Sequence, residues 1–118
     1  MRIDPAVLPP PLRKRRRGVR GKLADALLEL AGGHGHIASH TEKAWASITF
    51  AGARHRVELV FAGEKAVEAG ECFIAFLPEY EFAIPKQLVA DAAVVGVDHI
   101  AQPPGLTVRC ELLLLEEG

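Results

Sequence analysis

The sequence predicts an α+β domain in which a helix and a β-hairpin are followed by a second helix and a second hairpin. Two segments carry apolar residues at helical spacing, and each precedes segments in which apolar and polar residues alternate. The chain has 118 residues, of which 49% are hydrophobic, enough for the core of one domain. We expect a four-stranded, mostly antiparallel sheet with two helices on one face.

Residues 1–17 are expected to form a basic, proline-containing arm in front of a single α+β domain over residues 18–118. The pairs and runs Asp4-Pro5 and Pro9-Pro10-Pro11 are incompatible with a helix interior. Residues 1–22 hold eight basic groups and one acid, whereas the remaining residues hold six basic and fourteen acidic groups. The net charge of −1 therefore conceals a basic arm on an acidic body.

The first helix follows the arm, and its clearest part runs from Leu23 to Ala31. Gly18 and Gly21 lower the helix propensity in front of this run, and Gly32-Gly33 is a typical helix end. The apolar stripe is at helical spacing and consists of Leu12, Val19, Leu23, Ala26, Leu27 and Leu30.

The first hairpin is predicted from two alternating segments around Ala51-Gly52-Ala53, which is interpreted as the turn. Alternation in the segment 44–50 and again from Arg54 to Phe61 indicates strands that are apolar on one face. The preceding segment, His34 to Glu42, fits either a loop or a strand.

The second helix begins at Glu64 and ends at Pro78, and residues 79–85 connect it to a third strand within Gln87 to Ile100. That strand is apolar at nearly every position except Asp91 and Asp98. Such a pattern is typical of a central strand covered on both faces, or of a strand at a dimer contact. After a turn at 102–105, the last strand alternates clearly from Leu106 onwards.

The sheet face opposite the helices is predicted to carry apolar residues among charged ones. These residues are Trp45, Val60, Leu113 and Leu115. Exposed apolar patches of this kind usually mark a contact with a partner, so we expect a homodimer that buries this face.

The basic run has the composition of a site that neutralises phosphates in nucleic acid or another polyanion. It consists of Arg13, Lys14, Arg15, Arg16, Arg17, Arg20 and Lys22. No aromatic RNA-binding motif or zinc-finger spacing accompanies the run. The alternative is an arm that pairs with acidic groups of its own domain, of a dimer mate or of an acidic protein partner.

The segment HGHIASH places His34, His36 and His40 at even spacing, which on a regular strand puts all three on one face. A zinc ion could then bind there, with Glu42 or His55 as a further ligand. The spacing matches no zinc signature, and a polar loop is the alternative. We otherwise expect no cofactor.

Cys72 and Cys110 lie in apolar surroundings, so we expect both to be buried and unreactive. Two cysteines provide no disulfide framework, residues 1–11 lack the apolar region of a signal peptide, and no apolar run is long enough to span a bilayer. These features predict a cytoplasmic protein without a membrane segment.

Two classes of function remain open on the sequence. One is a non-enzymatic, dimeric interaction module, which the arm and the apolar outer face favour. The other is a small enzyme or ligand-binding protein with a site between the sheet and residues 79–91. Candidate acid–base residues exist, but none stands in a catalytic motif; they are His55, Glu58, Asp91, Asp98 and His99.

Overall fold

Helices and strands follow one another through residues 18–117, the part of the chain that the computed structural model describes. Helix α1 spans Val19–Leu30, and strands β1 (Gly35–Ala46) and β2 (Ala51–Ala62) follow it. Helix α2 (Glu64–Phe76) leads into a 3₁₀ turn, Leu77–Glu79, and then into strands β3 (Gln87–Ile100) and β4 (Gly105–Glu116). The predicted α+β class is confirmed, and the order of the elements agrees with the prediction.

The four strands form one open antiparallel sheet in the order β1-β2-β4-β3. In its centre, Val57 of β2 lies opposite Cys110 of β4. Strand β3 comes last in this order and is an edge strand, so the interpretation of its apolar sequence as a central strand is wrong. The alternative interpretation, a strand at a dimer contact, is compatible with this position.

Both helices pack on the same face of the sheet, which is called the helix face below. Alternate residues of β2 and β4 point to this face and meet the apolar stripes of α1 and α2. Its fully buried side chains include Leu23, Leu27, Val57, Leu59, Phe61, Phe73, Val108, Cys110, Leu112 and Leu114. Substitution of one of these leucines by Ala should lower the free energy of unfolding by about 2–5 kcal/mol, because it loses apolar burial and also leaves a cavity.

Two glycines end α1 as the sequence predicts. Gly32 and Gly33 have φ angles of +69° and +76°, a region that side chains with a Cβ seldom adopt. The Gly32 amide donates to the Glu29 carbonyl at 2.9 Å, which closes the last turn of the helix.

The first hairpin turns at residues 47–50, not at the predicted Ala51-Gly52-Ala53. The Ser47 amide donates to the Phe50 carbonyl at 2.7 Å, and the Phe50 amide donates to the Ser47 hydroxyl at 3.1 Å. Gly52 instead lies within β2, between Trp45 of β1 and Leu115 of β4. A Cβ on Gly52 would overlap the Leu114 carbonyl oxygen, so a close approach of β4 explains this glycine.

The segment His34 to Glu42, which the sequence pattern fits to either a loop or a strand, is almost entirely strand: β1 begins at Gly35. The second hairpin turns through residues 101–104, where the Gln102–Pro103 peptide bond is cis. No helix within residues 18–117 is long and apolar enough to cross a bilayer.

Candidate functional site

The face opposite the helices, called the outer face below, carries the four apolar residues predicted for it. Trp45, Val60 and Leu113 are half-buried there, and only 7% of Leu115 is exposed, although it lies outside the main core. The register places Trp45, Gly52, Leu115 and Leu88 in one row across the four strands. The apolar residues of this face are therefore less exposed than the sequence pattern indicates.

Ion pairs cross the middle of the outer face. Arg56 pairs with Glu111, and Arg109 pairs with Asp98 at 2.8 Å and with Glu58 at 3.7 Å. The hydrogen bond to Asp98 and its charge raise the pKa of Arg109. These charges are solvated, so each pair contributes little to stability, but they make the centre of the face polar.

Gly96 allows Arg109 to reach Asp98 on the edge strand. A Cβ on Gly96 would lie 2.7 Å from Nε of Arg109, so the guanidinium lies directly over the glycine. Arg109 therefore pairs with Asp98 and Glu58. Asp91 is exposed and lies beside a register shift in β3, so a bulge accounts for this charged residue in an apolar strand.

Strand β3 exposes apolar side chains on both faces of the sheet edge. Leu88 lies opposite Leu115 and Ile100 lies opposite Gly105, both on the outer face, and these two residues are 48% and 59% exposed. Val97 lies opposite Val108 on the helix face and is 44% exposed, and Val95, in the second bulge of β3, is 53% exposed. The other exposed large apolar residues among those described are Ile48, Phe50 and Phe76, in the first hairpin turn and at the end of α2.

The opposite edge of the sheet has a different character. Most exposed positions of strand β1 carry polar or charged side chains, including Thr41, Glu42 and Lys43, and the others are alanines. Charged residues are a common protection of an edge strand against pairing with another chain. Of the two free edges, β3 is therefore the one that favours contact.

The three histidines predicted as metal ligands do not share a face. A bulge at Ala38 shifts the register, so that His36 lies opposite Val60 on the outer face and His40 opposite Val57 on the helix face. His34 precedes β1. Within residues 18–117, no three His, Cys, Asp or Glu side chains are grouped so that they could hold a metal ion.

His40 instead pairs with a histidine of the neighbouring strand. Its Nε2 lies 3.0 Å from Nδ1 of His55, and only 1% of His55 is exposed. The Nε2 atom of His55 is buried and has no hydrogen-bond partner within residues 18–117. Leaving such a group unpaired costs about 1–3 kcal/mol, which marks this ring as unusual.

Burial favours the neutral form of both histidine rings. Burial, with help from the nearby charges of Arg20 and His55, lowers the pKa of His40 from 6.5 to about 4. Burial also lowers the pKa of His55, against the opposing effect of Glu42. A neutral pair fits the hydrogen bond, since one ring must donate and the other accept.

Of the predicted anion-binding run, the structure describes Arg20 and Lys22, and Arg13 to Arg17 lie outside the described residues. Arg20 donates to Glu42 at 3.1 Å and to the His40 carbonyl oxygen, while Lys22 is exposed. Arg20 is thus engaged by the acidic body, as in the alternative interpretation of the arm.

A groove and a smaller cavity lie beside these features. An open groove of about 880 Å³ is lined by residues 80–89 and Glu117, in the region that the sequence suggested for a ligand site. A smaller cavity of about 260 Å³ lies on the helix face where α1 begins, and His55, Glu42 and Glu116 are among its walls.

No protein-family model matches this chain, and no curated protein matches it. Among solved structures, it is similar to a chain of the virion of a native gene transfer agent particle, at 12% identity and a TM-score of 0.49, over 87% of this chain and 94% of that one. It is also similar to the type 4 fimbrial biogenesis protein PilO from Pseudomonas aeruginosa, at 14% identity and a TM-score of 0.42, over 92% of this chain and 70% of that one. At these values neither likeness bears on function.

The sequence interpretation missed two features of these sites. It placed Cys72 among buried residues, but Cys72 is exposed, because it lies off the stripe of α2 that contains Ala66, Val67 and Phe73. Cys110 is buried as expected, and burial raises the pKa of its thiol to about 12. The pairing of His40 with His55 was also missed, because only the bulge at Ala38 places His40 on the same face of the sheet as His55.

Proposed function

We propose that this protein is a non-enzymatic interaction module that forms a homodimer through the edge strand β3. The observation that carries the proposal is the set of apolar side chains exposed along β3, described above, on an edge that no other strand of residues 18–117 covers. An unpaired edge offers a row of backbone donors and acceptors to another strand. A second copy of the chain supplies the same edge in a two-fold arrangement.

Edge pairing explains the distribution of the exposed residues better than docking on the outer face. A partner on the outer face would cover Leu88 and Ile100 but leave Val97 in water, because Val97 points to the helix face. A strand added at the edge lies beside side chains of both faces. The ion pairs of Arg56 and Arg109 would also have to be desolvated in a face contact, at a cost that their attraction does not always repay.

The arrangement of charges favours the β3 edge over the β1 edge. Asp91 and Asp98 are the only acidic residues of β3, and Asp98 is paired with Arg109. Strand β1 carries Glu42 and Lys43 near its middle. We therefore assign the contact to β3, in a protein that binds rather than catalyses.

Sedimentation equilibrium of the full chain tests the proposal. At micromolar concentration we expect a species of twice the single-chain mass of 12.7 kDa. Val97→Lys places a charge in the contact and should yield the single chain, since a buried unpaired charge is strongly unfavourable. Thr41→Lys, an exposed position on the other edge strand, is the matched control and should leave the dimer intact. Circular dichroism confirms that each variant is folded.

A third variant separates edge pairing from a face contact. Arg54→Glu reverses an exposed charge of β2, away from β3. Edge pairing predicts a dimer as stable as that of the unchanged chain. Dissociation by Arg54→Glu but not by Val97→Lys would contradict the edge contact, and a single-chain mass for the unchanged protein at high micromolar concentration would contradict dimerisation itself.

A further inference from the structure

The open groove of about 880 Å³ combines an aromatic and apolar wall with two acidic residues. Tyr80 and Phe82 are half-buried in it, and their rings meet edge to face with centroids 4.8 Å apart. The buried Ile84 also lines the groove. Glu81 and Glu117 are exposed there, and neither takes part in an ion pair among residues 18–117. The groove therefore offers aromatic contact together with negative charge.

The groove begins close to the point where the N-terminal arm joins α1. Gln87 lines both the groove and the small cavity whose walls include Val19, the first residue of α1. At the other end of the groove, the Tyr80 hydroxyl lies 3.5 Å from the Glu29 carboxylate, near the end of α1. Ten positions separate Val19 from Glu29, which is about 15 Å along a helix. The groove therefore extends for about this distance from the entry of the arm.

The sequence of the arm has the composition that a groove of this kind binds. A run of prolines such as Pro9-Pro10-Pro11 favours an extended chain without internal hydrogen bonds, and aromatic-lined grooves recognise such segments. All five residues after Leu12, at positions 13–17, are basic. Among the charged residues that line the groove, two are acidic and one, Lys86, is basic. The arm and the groove are therefore complementary both in apolar contact and in charge.

We propose that the groove binds residues 9–17 of its own chain. An extended chain rises about 3.1 Å per residue, so the seven residues from Pro11 to Arg17 cover about 22 Å, more than the distance of about 15 Å to Tyr80. The prolines then reach the aromatic pair while the basic residues pass the two glutamates. Because the arm is tethered beside the groove, its effective concentration is of the order of millimolar, and weak contacts suffice. This contact lies within one chain and does not depend on the dimer proposed above.

NMR spectra of two full-length forms test whether the arm occupies the groove. The second form, called the arm variant, carries Pro9→Ser, Pro10→Ser, Pro11→Ser, Arg13→Gln, Arg15→Gln, Arg16→Gln and Arg17→Gln. Amide signals of residues 80–84 and 86–88 should differ between the two forms at every protein concentration, whereas those of residues 105–108, at the far end of the sheet, should coincide. Identical groove signals would leave the groove to a separate partner and overturn the proposal. Differences that grow with concentration would assign the groove to the arm of a second copy and overturn it as well.

A peptide with the sequence of residues 8–17 is the probe for the groove itself. Added to the arm variant, it should shift the amide signals of the groove. The unchanged chain should bind it at least about tenfold more weakly, because its own arm competes at a high effective concentration. A control peptide with serine in place of the three prolines keeps every charge and should bind the arm variant less tightly. Equal affinity of the two peptides, or shifts spread over the whole acidic surface, would overturn the proposal.

Neutralised glutamates separate a local contact from a response to net charge. In the arm variant, Glu81→Gln together with Glu117→Gln should weaken the peptide about three- to tenfold, as expected for the loss of two solvated ion pairs. Glu68→Gln together with Glu71→Gln removes the same charge from exposed positions of α2 that do not line the groove, and should leave the affinity unchanged. Equal weakening by both pairs of substitutions would show that net charge alone attracts the peptide and would overturn the proposal.

Discussion

Acidification should destabilise the fold through the pair His40–His55. The pKa of His40 is about 4 in the folded chain against 6.5 ordinarily, and that of His55 is also lowered. The unfolded chain therefore binds more protons than the folded one between these values. Stability due to the pair is fully present above about pH 6.5 and is lost as the pH falls towards 4.

The size of the loss follows from the two pKa values of His40. Each pKa unit corresponds to about 1.4 kcal/mol, so the fall from 6.5 to about 4 sets an upper limit of about 3–4 kcal/mol for His40. Partial exposure of His40 and the solvated ion pair of Arg20 with Glu42 reduce this through screening. We expect about 1–2 kcal/mol between pH 7 and pH 4.

Urea unfolding at several pH values measures this loss, with the single tryptophan, Trp45, as the fluorescent probe. His40→Gln retains a side chain that can bond to His55 but does not titrate, so its stability should fall less with acid than that of the unchanged chain. His36→Gln, on the outer face of the same strand, is the control and should follow the unchanged chain. Parallel curves for the unchanged chain and His40→Gln would refute the reasoning.

Three further experiments test the packing directly. Gly52→Ala should cost about 1–3 kcal/mol in urea unfolding, because its Cβ overlaps the β4 backbone, whereas Gly18→Ala meets open space and should change stability by less than about 0.5 kcal/mol. A thiol reagent should label Cys72 in the native protein and reach Cys110 only on unfolding, and rapid labelling of both would contradict the burial. Gly96→Ala should displace the Arg109 guanidinium from Asp98. The NMR signal of the Arg109 Nε–H group should then shift relative to that of the unchanged chain, and an unshifted signal would contradict the close contact with Gly96.

The periodicity of the sequence predicted the fold class and the faces of α1, α2, β2 and β4. These elements bury one regular stripe each, so burial and period coincide, as for Leu23 and Leu27 in α1. The pattern of β3 was misleading, because exposed valines at a free edge resemble the valines of a buried strand. Sequence periodicity reports which residues are apolar, and neighbours in the sheet decide whether they are covered.

The candidate sites were harder to predict, since each depends on contacts between distant parts of the chain. The even spacing of His36 and His40 suggested a shared face, but one extra residue at Ala38 reverses the face of every residue after it. The same bulge brings His40 to His55. In the first hairpin, Gly52 resembled a turn residue, but it lies within β2, where the lack of a side chain allows β4 to approach closely.

Dimerisation through β3 should strengthen as salt is added. Strand β3 has two acidic residues, Asp91 and Asp98, and no lysine or arginine, so two copies brought together at this edge place like charges near one another. Salt screens that repulsion and strengthens apolar contact, and the dimer should tighten as sodium chloride rises. Sedimentation equilibrium at two sodium chloride concentrations measures this trend, and a dimer that weakens at the higher concentration would contradict the assignment of the contact to β3.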